Sequence, residues 1–269
     1  MKIFKSINKL NKQVDFKANI GFVPTMGALH KGHMSLIDSS KKKCKKTLVS
    51  IFVNPSQFNK KSDYNKYPKN LNKDLNILKK MKVDYVFIPK IGEIYKNKKK
   101  MKIPVSSKDK ILCAKYRKGH FEGVLAVINQ LLNIIKAKYI FLGKKDYQQV
   151  FLIKKFIKNR FKTKIKECKT VRLNNLVPYS SRNFLLSRND INKASLVSKS
   201  IYKFYSSIKK DFNNKLNINK IKTNINSKKI KIDYLEIRNK INLSKNYNRK
   251  NFKIFIAYYL KDIRLIDNF

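Results

Sequence analysis

Three cysteines are spread over 269 residues, at Cys44, Cys113 and Cys168, with no C-x-x-C pair. That spacing argues against a disulfide framework or a structural zinc site, and suits a reducing compartment. Long hydrophobic runs are missing too. The first stretch, MKIFKSINKLNKQ, is charged throughout, so it reads as neither a secretory signal nor a membrane span, and a cytoplasmic location is expected. Acidic residues are scarce, 16 against 64 Lys and Arg, for a formal net charge of +48. Such a surplus ordinarily points to nucleic acid or an anionic surface. Here the lysines are scattered over every segment beside many Asn, Ile, Phe and Tyr, residues with A/T-rich codons. No basic stripe, zinc module or aromatic stacking motif accompanies them. The expectation is attraction of small anionic substrates, with no nucleic-acid and no membrane partner.

Glycine is rare as well, with seven in the chain. Six of them (Gly21, Gly27, Gly32, Gly119, Gly123 and Gly143) lie in or beside the motifs below, which marks places needing a positive φ or close backbone approach. Histidine is rarer still: of the three, His30 and His33 stand together as H-x-G-H.

What is present is enough for a core: 42% of residues are hydrophobic. Short apolar runs at 19–23, 47–53, 84–88, 139–142 and 165–171 read as inner strands covered on both faces. Between them, 71–81, 124–136 and 147–161 read as helices. The alternation predicts a Rossmann-like, doubly wound parallel sheet over residues 1–171, whose ligands bind at the carboxyl ends of the strands. From 172 to 269 the rhythm predicts a smaller α+β domain: a helix over 189–208, a polar stretch over 209–228 that is a mobile connection or a lysine-rich helix, and strands over 230–238 and 252–260.

Four strings at strand ends carry the chemistry. Pro24 to His33 runs from a strand through a glycine turn to a histidine pair at a helix start, where free N–H groups and the helix dipole suit a phosphate. Read alone it is also a capped helix with incidental histidines. Val49 to Phe58 delivers Asn54 and Gln57 to a loop, two amides able to bond hydroxyl and carboxylate groups; alone it is an ordinary turn. Gly143 to Gln149 offers Lys145 to phosphates and Asp146 to a ribose hydroxyl, with Gln149 facing inward if a helix begins near Tyr147. Tyr179 to Asn183 places Ser180, Ser181 and Arg182 in a row fit for phosphate oxygens, or as a helix cap before Phe184. His120, alone before an apolar helix, reads as a capping or packing residue.

Together, PTMGALHKGH, VSIFVNPSQF, GHFEGV, GKKDYQQ and SSRN, in this order, resemble the pantothenate synthetase (pantoate–β-alanine ligase) family, and DYLEIR and RLIDN look like its later segments. The resemblance covers nearly the whole chain. It implies ATP-dependent condensation of (R)-pantoate with β-alanine through a pantoyl adenylate, releasing AMP and diphosphate, in a homodimer whose smaller domain is a lid. It implies an ATP site lined by Met26, Gly27, Ala28, Leu29, His30, Lys31, Gly32 and His33, by Gly143, Lys144, Lys145 and Asp146, by Val171, and by Tyr179, Ser180, Ser181 and Arg182. His33, His30, Lys145 and Arg182 take the catalytic roles, and Gln57, Gln149 and Asn54 hold pantoate and β-alanine. Mg²⁺ is held through the ATP phosphates, with no protein metal ligands.

The chain departs from the family pattern in places. Asn175-Leu176-Val177-Pro178-Tyr179 stands where Gly-Leu-Ala-Met (or Leu) is usual, and Pro178 would lose any backbone donor contact. Lys144 replaces a usual Glu or Gln, Lys118 a Pro, and Lys69 an Arg. Two other readings remain at this point. One is a different H-x-G-H adenylyltransferase, the other a basic nucleic-acid-binding protein without catalysis.

Overall fold

In the computed structural model, which describes residues 1–95, 103–227 and 230–269, the chain divides into two compact units, Met1–Val171 and Arg172–Phe269. The first is built on strands β1 (Lys2–Phe4), β2 (Ile20–Thr25), β3 (Lys46–Ile51), β4 (Tyr85–Phe87), β5 (Tyr139–Gly143) and β6 (Lys164–Cys168). Between them run helices α1 (Ile7–Gln13), α2 (Lys31–Lys43), α3 (Lys61–Asn65), α4 (Leu71–Lys80), α5 (Ile91–Ile94), α6 (Leu112–Tyr116), α7 (His120–Ile134) and α8 (Tyr147–Ile157). The six strands form one parallel sheet in the order β1-β4-β3-β2-β5-β6.

Strand order explains burial. β2 and β3 lie in the middle, and successive residues of a strand face opposite sides. Phe22, Val23, Leu48 and Val49 are all fully buried, so both faces of the sheet are covered. The run at 165–171 was expected to be an inner strand like the others. It is instead an edge strand, ending at Cys168, and its residues are only partly buried. Lys164, Lys166 and Glu167 suit an edge, where charge discourages pairing with another chain. The strand at Lys2–Phe4 was not anticipated; three residues are too few to show a period. The helix expected from 124 begins earlier, at His120, after Gly119 with φ of 81°.

The sheet order also fixes where ligands go. From β2 the chain builds outward through β3 to β4, and the other half of the sheet begins at β5, on β2's opposite side. The crevice between the carboxyl ends of β2 and β5 is therefore the topological switch point of the sheet. The H-x-G-H string follows β2 and the G-K-K-D string follows β5.

The second unit has a three-stranded antiparallel sheet of β7 (Lys231–Asn239), β8 (Phe252–Leu260) and β9 (Ile263–Asn268). Helix α9 (Arg188–Lys210) opens with a capping box from Ser187 and Asp190. Its buried Ala194, Val197, Ile201, Phe204 and Ile208 recur every three or four residues, and they share a core with Ile254 and Ile256 of β8. Between 209 and 227 the polar stretch contains helix α10 (Ile218–Asn226), with Ile225 buried; Lys228 lies outside the described residues. Arg172 ties the ends of the unit together. Its guanidinium grips both carboxylate oxygens of Asp267 at 2.7 and 2.8 Å, donates to the carbonyls of Leu176 and Asn268, and lies 4.0 Å from the Phe269 ring centroid.

The turn after Arg172 holds a backbone anomaly. Leu176 has φ of +71°, in the left-handed region. Counting back from Ser180, Leu176 occupies the place of the glycine in the Gly-Leu-Ala-Met pattern. Pro178 costs nothing to the local pairing. It sits in an antiparallel bridge with Arg172, whose hydrogen bond runs from the Leu173 N–H to the Val177 carbonyl at 2.8 Å. A leucine in the left-handed region costs about 1 kcal/mol, whereas asparagine tolerates it. Leu176→Asn is therefore expected to raise stability by about 0.5–1 kcal/mol in urea denaturation. A drop would show that the leucine side chain contributes more packing than its backbone strain costs.

Candidate active site

The turn from β2 to α2 is shaped by two consecutive left-handed residues, Gly27 at φ +79° and Ala28 at φ +51°. Its N–H groups turn inward. Gly27 donates to Thr25 Oγ1 (3.2 Å), Ala28 to Asp74 Oδ2 (2.9 Å) and Leu29 to Asp74 Oδ1 (2.7 Å). Ala28 and Leu29, expected to line an ATP site, are themselves buried, with 6% and 3% of their surface exposed. What the turn presents outward lies at its two ends, Met26 and the histidine pair.

His30 caps helix α2. Its Nδ1 accepts from the Gly32 N–H at 3.1 Å, which leaves the imidazole fixed at the helix start. One helical turn on, the His33 ring packs against it, with centroids 4.0 Å apart. His33 Nδ1 is buried with no hydrogen-bond partner among the described residues, although the residue as a whole is only half-buried. Burial drives both imidazoles toward the neutral form. His30 falls to about 2, through burial, then repulsion from His33 and Lys145. His33 falls to about 4, through burial and, less, Lys145, while Asp146 pulls the other way. Lys145 and Asp146 thus act on the pair from the β5 loop, and they are themselves ion-paired at 3.1 Å. The loops after β2 and β5 converge at the switch point. Lys31, in contrast, is exposed at the helix start. Gly143 has an extended backbone, and a Cβ there would make only an ordinary contact, 4.0 Å from Leu36 Cδ2, so the close approach expected there is absent. Lys144 reaches Glu167 on β6 at 3.5 Å.

The loop after β3 joins the same region: Gln57 Nε2 donates to Met26 Sδ at 2.9 Å. Asn54, expected to contact substrate, is enclosed by its surroundings. It is 1% exposed, and all its hydrogen-bonding capacity is engaged within the protein. Nδ2 donates to Gln57 Oε1 and the Gly123 carbonyl, both at 3.1 Å, while Oδ1 accepts from the Ser56 N–H (3.2 Å) and the Tyr95 hydroxyl (2.8 Å). Asn54 supports the loop and steadies the half-buried Gln57 amide.

His120, read as a packing residue, belongs to a clamp on this loop. Arg117 donates to His120 Nε2 at 2.8 Å, so the ring proton sits on Nδ1, which donates to the Gln57 carbonyl at 2.7 Å. Arg117 also donates to that carbonyl at 3.3 Å. Gly123 completes the clamp, because a Cβ there would lie 2.3 Å from the Ser56 carbonyl oxygen. On α8, Gln148 is the buried amide, bonded to the carbonyls of Asp109 and Ile111. Gln149 is half-buried and makes no side-chain hydrogen bond to a described residue.

In the second unit, Ser180 is the cap of a short helical turn over Ser181–Leu185. Its hydroxyl accepts from the Arg182 N–H, and Asn183 closes a capping box. The capping alternative is therefore realised. Ser181 is buried, and Tyr179 and Arg182 are half-buried. Val171, the last residue of the first unit, is half-buried too. Among the described residues no group of three His, Cys, Asp or Glu could hold a metal ion, and no helix is long and apolar enough to cross a membrane.

A family model described as pantoate-beta-alanine ligase matches residues 2–269. The chain belongs to the pantoate–β-alanine ligase family. Curated relatives include pantothenate synthetases of Francisella tularensis subsp. mediasiatica, 42% identical over 100% of this chain and 95% of its own length, and of Francisella philomiragia, 42% identical with the same coverage. Among solved structures, the pantothenate synthetase of Thermus thermophilus superposes with a TM-score of 0.93 at 26% identity, over 100% of this chain and 99% of that one. The pantoate-beta-alanine ligase of Francisella tularensis, complexed with beta-gamma ATP and beta-alanine, gives a TM-score of 0.87 at 39% identity, over 100% and 97%. In this ligase-family chain, Asp74, Tyr95, Arg117 and His120 were not singled out as site residues from sequence. Only the shortage of acids could have drawn notice to Asp74, while His120 was noticed as a capping or packing residue.

Two outcomes follow from this geometry. Between pH 6.5 and about 4 the unfolded chain takes up protons that His30 and His33 refuse in the fold, so stability falls as pH falls through that window, by about 1 kcal/mol per pH unit for each histidine. Urea denaturation at pH 7, 6 and 5 should show a shallower fall in His33→Asn than in the unsubstituted protein; equal slopes would mean that His33 charges freely in the fold. Gly123→Ala must displace the backbone at Ser56 and should cost about 1–3 kcal/mol, and an unchanged denaturation midpoint would show the loop to be loosely held.

Proposed function

We propose that the chain joins (R)-pantoate to β-alanine at the expense of ATP, in two steps at the switch point of the first unit. A carboxylate resists attack by an amine, so the pantoate carboxylate first attacks the α-phosphorus of ATP. Diphosphate leaves, and the acid is held as pantoyl adenylate. The β-alanine amine then attacks the acyl carbon, AMP departs with the bonding electron pair, and pantothenate remains. No covalent bond to the enzyme is required, and no nucleophile paired with a base lies in the motifs. The substrate is ATP with Mg²⁺ on its phosphates. The lone carboxylate of the β5 loop, Asp146, is already paired with Lys145, a donor set suited to an ion that arrives with its nucleotide.

The observation that carries the reading is the stacked, desolvated histidine pair at the start of α2 with Lys145 acting on it. Neutral imidazoles keep an N–H that follows negative charge as it develops on phosphate oxygens, and they need no reorganisation of water to do so. In this reading His33 serves as proton donor and His30 steadies the phosphates. Lys145 supplies a positive charge, and Asp146 accepts from the ribose. Met26, Gly27, Gly32, Gly143, Lys144 and Val171 border the nucleotide, while Tyr179, Ser180, Ser181 and Arg182 complete the phosphate clamp from the smaller unit, which acts as a lid. Gln57 and Gln149 hold pantoate, and Gln57 also meets β-alanine. The enzyme works in the cytoplasm as a homodimer. Family membership at about 42% identity to pantothenate synthetases supports the choice of substrates.

Labelled diphosphate should exchange into ATP only when pantoate is present, and His33→Ala should slow this exchange by about 100-fold or more. Exchange without pantoate, or none from folded protein, would overturn the proposal. A panel of other acids in the same assay tests the substrate assignment.

A further inference from the structure

We propose that Asp74 is a positioning residue: its carboxylate sets the Gly27–Leu29 turn and, through it, the placement of His30 against His33. The inference rests on the ligase reading of the site. Asp74 lies in the first turn of α4, is 2% exposed, and makes no ion pair with any described residue, in a chain carrying 64 lysines and arginines. Its partners are two consecutive backbone N–H groups, those of Ala28 and Leu29. A carboxylate is costly to bury without an ion-paired cation, and burial raises its pKa despite both bonds and the nearby charge of Lys73.

The geometry says what that cost secures. Successive N–H groups in a turn with left-handed residues converge into a concavity that binds anions. Phosphate is the usual guest of such a turn in nucleotide sites, but here an internal carboxylate fills it. Gly27 belongs to the same device, since a Cβ there would lie 2.9 Å from Asp74 Oδ2. The next residue along the chain from Leu29 is His30, whose ring is committed at once to capping Gly32 and to packing against His33. Two N–H bonds at 2.9 and 2.7 Å therefore fix the backbone immediately before the histidine pair. An amide in place of the carboxylate keeps one acceptor and turns an NH₂ against the other N–H. Asp74→Asn should relax the turn while leaving the remainder of the sheet intact.

The chain's three histidines make the test direct, because each gives one ring Cε1–H signal in NMR. In Asp74→Asn, the His30 and His33 signals should shift and titrate closer to the ordinary histidine range. The His120 signal, from the clamp on the β3 loop, should stay where it is. Per folded molecule, kcat for pantoate-dependent exchange should fall about 10- to 100-fold, with KM for pantoate changed less than about twofold, since Gln57 lies on the β3 loop and Gln149 on α8. Unaltered His30 and His33 signals together with an unaltered kcat per folded molecule would overturn the proposal, even if stability dropped. Should the variant fail to fold, hydrogen exchange of the unsubstituted protein decides: the Ala28 and Leu29 amides are expected to be protected to the level of β2, and exchange as fast as in an exposed loop would refute the anchor. An unsubstituted protein that shows no pantoate-dependent exchange would sink the ligase reading, while the histidine signals would still report on Asp74.

Discussion

The pairing of β2 with β3 on one side and β5 on the other is the constraint from which the site follows. All three strands run the same way, so their carboxyl ends, and the loops leaving them, emerge at one edge of the sheet. Registers such as Thr25 with Ile51 and Phe22 with Ile140 then decide how far each loop projects. Met26, Gln57 and Lys145 are distant in sequence, and the sheet makes them neighbours of one crevice. A slip of one register position would exchange the side chains packed against the two covered faces, so core packing protects the geometry of the site as well as the fold.

Around that crevice the protein uses uncharged or internally neutralised groups. The two imidazoles are held neutral by burial, Lys145 is paired with Asp146, and Arg117 donates into a neutral His120. Such groups require little rearrangement when a multiply charged nucleotide arrives, and preorganised dipoles stabilise developing charge better than mobile ions in water. The loop carrying Gln57 follows the same logic. Its amide neighbour Asn54 is saturated by Gly123, Tyr95 and Ser56, and its carbonyl is clamped from α7.

Much of this was legible in the chain itself. Phe252–Leu260 and Leu71–Lys80 are long, patterned segments, and their limits were readable to within a residue. Asn54 shows where such reading stops. An amide in a loop at a strand end looks the same in sequence whether it faces a ligand or the interior; only Gly123, 69 residues away, and Tyr95 reveal that it faces inward. His120 packs as expected, but its partner was hidden for a related reason, since it is a backbone carbonyl, which no side-chain pattern announces. The edge position of β6 was hidden because order across a sheet depends on long-range pairing. Asp74 was invisible for the same cause: its partners lie 45 and 46 residues earlier.

The imbalance of charge acquires another meaning once the carboxylates are located. Asp74 anchors a turn, Asp190 closes a helix cap, Asp267 receives Arg172, Asp233 receives Arg264, and Asp84 bonds both Lys46 and the Thr47 backbone. The few acids serve as fixed joints, while the abundant lysines lie largely outside as a solvated coat. Genetic drift under a skewed base composition is then tolerated very unevenly: another lysine on the exterior changes little, whereas any of these five aspartates exchanged for asparagine weakens a joint. A genome sliding toward A/T can recolour this protein's exterior almost without limit, and its acids mark how far that slide may go.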